Sequence, residues 1–160
     1  MNDPNAELEI SQMRPPAHPY DIWEWKVYDQ AGRVVQTILG DASTTRYEYD
    51  NAGRLIRTFG YGNPVPAGTI QSYMAGGLPV AYTPSWHALD TLTRSFYDGD
   101  GLLIGSLAPD GGLTRIEYDG KGRKIAEHRY VNFATTDNWT RVHGTLDQIF
   151  NTVPKDASLD

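Results

Sequence analysis

Residues Tyr47–Thr58 read YEYDNAGRLIRT. The run Thr44–Tyr49 is rich in β-branched and aromatic residues. In a strand it would put Tyr47 and Tyr49 on one face and Arg46 and Glu48 on the other. Leu55–Phe59 is a second β-prone run. Between them lies Asp-Asn-Ala-Gly. An Asp side chain can accept hydrogen bonds from backbone N–H groups just ahead of it, and Gly supplies the positive φ that closes such a turn. The stretch predicts a hairpin with a four-residue connection: Tyr packs, Asp caps the turn, Gly closes it and Arg opens the return strand.

The pattern recurs. Tyr-Asp pairs stand at Tyr28-Asp29, Tyr49-Asp50, Tyr97-Asp98 and Tyr118-Asp119, with Gly32-Arg33, Gly53-Arg54, Gly101 and Gly122-Arg123 following at the same offset. Leu102 stands where the third copy should have Arg. The tyrosines are spaced 21, 48 and 21 apart. Laying Trp25–Asn63 on Arg94–Asn132 without a gap gives roughly 14 identities in 39 positions. Tyr61 and Asn63 then meet Tyr130 and Asn132. The chain reads as a lead-in over residues 1–21, a first unit over 22–90 and a second over 91–160. Each unit holds two hairpins and an insert. The fold class expected is all-β: tandem antiparallel hairpins forming a curved meander sheet, with short irregular or helical inserts. Gly60–Thr83, dense in Gly and Pro, reads as irregular loop. In Val131–Val153, Leu146, Ile149 and Phe150 have helical spacing and Pro154 ends the run. Glu7–Met13 reads as a further short helix. Arg46/Glu48 and Arg115/Glu117 are placed for cross-strand ion pairs.

The bulk composition narrows the function. The 160 residues carry a net charge of −6, with a pI of about 5.1 and no Lys/Arg run, which argues against a nucleic-acid partner. There is no cysteine, hence no disulfide framework or thiolate metal site. No apolar run reaches bilayer length, so membrane insertion is not expected, and MNDPNAELEISQ has no signal-peptide pattern. The last residue falls at a unit boundary, so the chain reads as a piece of something larger.

The Y-D-x-x-G-R-L motif, in four phased copies and joined by D-x-x-G-x-T-x-Y connectors, resembles the RHS/YD-repeat family over about half of the chain. Tyr49–Leu55, Tyr118–Arg123 and Tyr28–Val34 carry the likeness best. The resemblance implies a repeat segment of a bacterial shell or surface scaffold, secreted or displayed as part of a larger protein. Such a shell encloses or presents a polymorphic toxin segment, and some members bind carbohydrate. The family's autoproteolytic core has no counterpart here. The partners implied are adjacent repeats, the enclosed segment and, as a second class, glycans.

No catalytic residue, cofactor or metal ligand stands out. DGDG at Asp98–Gly101 lacks the Glu of a calcium loop, having Pro109 at that position. His18, His87, His128 and His143 are scattered, and no Gly-x-Ser-x-Gly elbow occurs. A non-enzymatic protein is expected. The Tyr-Asp tyrosines read as packing. Trp86 and Trp139, outside the repeat, are the candidate ligand contacts. Open sheet edges in an isolated piece would favour self-association.

Overall fold

The computed structural model describes residues 21–134 and 143–154. The expected helix at Glu7–Met13 and the candidate residue Trp139 lie outside them. Eight strands follow one another: β1 (Glu24–Tyr28), β2 (Val34–Leu39), β3 (Thr44–Tyr49), β4 (Leu55–Gly60), β5 (Thr91–Tyr97), β6 (Leu103–Leu107), β7 (Leu113–Tyr118) and β8 (Lys124–Arg129). They form one sheet in sequence order, each antiparallel to the next. This is the expected all-β meander.

Each Tyr-Asp turn is tighter than expected. Asp50 N donates to the Arg54 carbonyl at 2.9 Å and Gly53 N to the Asp50 carbonyl at 3.0 Å. The loop proper is therefore the three residues Asn51, Ala52 and Gly53, one fewer than predicted. Gly53 has φ +81°, which an L side chain adopts only at a cost. Just beyond the turn the register slips: Glu48 faces Arg57, but Tyr49 faces Leu55, so Ile56 is an extra residue. The same bulge recurs at Val35, Ile104 and Ile125. In three of the four copies the bulged residue follows another apolar one, as Val34-Val35, Leu55-Ile56 and Leu103-Ile104, and in the fourth it follows Lys124. A bulge bends its strand and strengthens the local twist.

The register assigns the two faces. One carries Trp25, Ile38, Thr44, Arg46, Phe59, Arg57, Arg94, Leu107 and Leu113. The other carries hydroxyls in cross-strand rows, Thr37–Thr45, Thr58–Thr93 and Ser95–Ser106–Thr114. Both inserts pack on the first face.

The first insert is not all loop. It contains α1 (Ala67–Met74), which buries Ile70 and Tyr73 against Ile38 and Val65. Tyr73 meets the Trp25 ring at 5.6 Å between centroids. Gly and Pro suggested irregular chain throughout, but Pro64 and Pro66 lie before the first turn, where proline costs no hydrogen bond. Gly76 and Gly77 lie after the last turn. In the second insert α2 (Leu146–Phe150) forms where helical spacing predicted it. Thr145 and Gln148 make a reciprocal capping box. Leu146 and Ile149 are buried on Leu107 and Leu113.

Candidate functional site

The most organised feature is a lock repeated along the ridge of turns. In each motif Asp serves two purposes. Oδ1 of Asp50 accepts from the backbone of Ala52 and Arg54, both at 2.9 Å, while Oδ2 holds the Arg54 side chain at 2.6 Å. Asp29 with Arg33 and Asp119 with Arg123 repeat this geometry. The arginine, so fixed, reaches the next hairpin. Arg33 lies over the Tyr49 ring and Arg54 over the Tyr97 ring, each 4.8 Å from the centroid. Arg54 also donates to the Asp98 carbonyl at 3.2 Å. The tyrosine answers with its hydroxyl: Tyr49 donates to the Val34 carbonyl, Tyr97 to Leu55 and Tyr118 to Leu103, at 2.8, 3.2 and 3.0 Å. Tyr, Asp, Gly and Arg thus join one repeat to the next as well as shaping each turn. The sequence reading gave Tyr a packing role and missed that its partner is the preceding Arg.

Leu102 interrupts the lock. The Asp98 turn keeps its backbone bonds to Asp100 and Leu102, at 3.0 and 2.8 Å, but no arginine follows to cover Tyr118. Replacing Leu102 by Arg is expected to supply the missing contact and to stabilise the protein by about 0.5–1 kcal/mol. A urea midpoint that stays the same or falls would show that the lock contributes nothing at this junction.

The carboxyls of Asp29, Asp50 and Asp119 titrate below their ordinary value of 3.8. The first cause in each case is the backbone N–H of the arginine four residues on, joined by that arginine's side chain. Their folded-state pKa lies below the unfolded one, so their stabilisation is present above about pH 4. It is lost as pH falls through the depressed values. Urea midpoints are expected to hold from pH 7 to 5 and to drop at pH 3 and below. A flat profile would remove the turn carboxylates from the account.

The inserts are held by pins that the repeat alignment signalled but reading the chain did not interpret. Asn63 donates to the Ser85 carbonyl and Asn132 to the Pro154 carbonyl, each at 3.0 Å and each 22 residues on. Val65 N reaches the Ala42 carbonyl and Ala134 N the Gly111 carbonyl, both at 2.8 Å. Of the cross-strand ion pairs expected, Glu48 joins Arg57 at 2.9 Å. In the second unit Arg115 turns instead to Asp147 of α2, at 3.0 Å, and Glu117 faces His128 at 3.8 Å. Trp86 lies in the first insert with 74% of its surface exposed. Among the described residues no cluster of His, Asp and Glu fit to hold a metal occurs, and no helix is long and apolar enough to cross a membrane.

Residues 28–63 match the family model for the RHS repeat. That segment contains the first two Tyr-Asp motifs, strands β2 to β4 and the Tyr-x-Asn start of the first insert. No curated protein matches the chain. The hairpin repeat and the phased motif define a tandem β-hairpin repeat, and the match places residues 28–63 with the RHS repeats.

Proposed function

We propose that this chain is a stretch of wall in an RHS-type shell or surface scaffold, non-catalytic in itself, which encloses or displays a toxin or effector segment outside the cell. The observation that carries the reading is the lock and its two open halves. At the β1 end Tyr28 is 56% exposed, and at the β8 end the Arg123 side chain is 74% exposed. Among the described residues β1 pairs only with β2 and β8 only with β7. Each end offers the half that the other lacks, along an edge of unpaired strand. Light scattering over a concentration series tests this. Wild type should grow into larger species, and Tyr28→Ala or Arg123→Ala should shift that growth to higher concentration. A clean monomer at high concentration would sink the reading.

A second reading is favoured by Trp86 alone: a module that binds a glycan through the first insert. Saturable quenching of tryptophan fluorescence by an oligosaccharide, abolished in Trp86→Ala, would establish it. Unchanged fluorescence across a panel of glycans would remove it.

A further inference from the structure

The lock at the third motif has every part except its arginine. At the first two junctions a guanidinium is held by the same three groups: the Asp carboxylate of its own turn, the Tyr ring of the next motif and the Asp carbonyl of that motif. Arg33 has Asp29, Tyr49 and the Asp50 carbonyl. Arg54 has Asp50, Tyr97 and the Asp98 carbonyl. At the third junction these groups are Asp98, Tyr118 and the Asp119 carbonyl, and position 102 is leucine. Tyr118 is anchored as Tyr49 and Tyr97 are, its hydroxyl donating to the Leu103 carbonyl. Oδ1 of Asp98 accepts from the amides of Asp100 and Leu102. Among the described residues no side chain bonds Oδ2 of Asp98, and no cation covers the Tyr118 ring.

A cavity of about 570 Å³ opens at this place, lined by Asp98, Asp100, Leu102, Tyr118, Asp119 and Lys121 among others. The size is that of a small-molecule site. Leu102 fills part of the course an arginine takes. Its Cδ1 passes 3.8 Å from a Cβ built on Gly122, where Nη1 of Arg54 comes within 3.4 Å of one built on Gly101. Leucine supplies neither charge nor donor. The Asp119 carboxylate is taken by Arg123, which leaves Asp98 as the acid facing the ring without a cation. A carboxylate oxygen beside an aromatic face suits a planar cation, whose edge donates to the oxygen while its face stacks on the ring.

We propose that this cavity binds a guanidinium group, with its N–H donors on Oδ2 of Asp98 and on the Asp119 carbonyl and its plane against the Tyr118 ring. The support is that two matching sets of atoms in the same molecule already hold this group, at the Arg33 and Arg54 junctions. Free arginine and the arginine side chain of another polypeptide both carry it. They differ at the α-carbon, where Lys121 suits a free carboxylate and Asp100 a free ammonium. The site does not depend on the open sheet edges or on Trp86.

Saturation-transfer NMR of the whole chain with L-arginine, and with L-citrulline as the uncharged analogue of the same shape, tests the proposal. Arginine is expected to bind saturably, roughly tenfold or more tightly than citrulline, as a charged hydrogen bond set against a neutral one implies. Leu102→Arg is expected to abolish the binding, because the new side chain occupies the site itself. Asp98→Asn keeps the oxygen that accepts the turn amides and is expected to weaken arginine about tenfold. N-acetyl-L-arginine amide separates the two sources. Affinity equal to that of arginine assigns the site to a polypeptide side chain, and much weaker affinity assigns it to the free amino acid. Equal binding of arginine and citrulline, no saturable binding of arginine, or undiminished binding in Leu102→Arg would each overturn the proposal. The comparison of arginine with citrulline on wild type decides the matter even if the variants fail to fold.

Discussion

Gly105→Gln is expected to cost about 3 kcal/mol of unfolding free energy, although the repeat alignment places Gln36 at the matching position and so suggests that glutamine is tolerated. A Cβ built on Gly105 would sit 2.6 Å from the Thr114 carbonyl oxygen and 2.8 Å from a Leu146 methyl. The first is backbone within the sheet and the second belongs to α2, which is packed on Leu107 and Leu113. Neither can move without opening the core of the second unit. The loss is read from urea denaturation, with faster hydrogen exchange in α2 as its local sign. A variant as stable as wild type would mean that the second insert docks otherwise than described.

Gln36→Leu is expected to cost a comparable amount, about 2–4 kcal/mol, at the other insert. Gln36 is 2% exposed. Its Nε2 donates to the Tyr82 carbonyl at 2.6 Å and to Thr44 Oγ1 at 2.9 Å, while its Oε1 accepts from Tyr82 N at 2.8 Å. Leucine fills a similar volume but strands the Tyr82 carbonyl and amide in a place where little water reaches them. A buried group left unsatisfied costs about 1–3 kcal/mol. The return segment of the first insert should detach, exposing Val65 and Ile70. Denaturation midpoints and proteolysis between Gly76 and Pro84 would measure this, and an unchanged cleavage pattern would refute it.

These two positions explain why the inserts differ while their hairpins agree. Gln36 and Gly105 occupy one site in the repeat. In the first unit a glutamine clamps extended chain to the sheet by polar bonds. In the second the absence of a side chain lets Leu146 settle against the strand. The helix α2 was foreseeable from its apolar spacing and its Thr145/Gln148 box. The helix α1 was obscured because the Gly and Pro residues that bracket it dominate the local composition.

The hairpins, their number, their phase and their turn chemistry were legible in the chain because each depends on contacts within a few residues: Asp to the amides two and four ahead, Gly at the one position that needs positive φ. Four copies made a weak local signal a strong one. The contacts between hairpins were not legible in the same way. Arg54 and Tyr97 meet across 43 residues, and Gln36 and Tyr82 across 46. The bulge at Ile56 shifts which side chains face each other, and the register then sets Arg57 beside Arg94. Local backbone preference determined the repeating element. Which arginine covers which ring, where each insert docks and where a cavity opens were decided only when the strands paired, because side chains distant in the chain become neighbours through register, and no short window of sequence contains it.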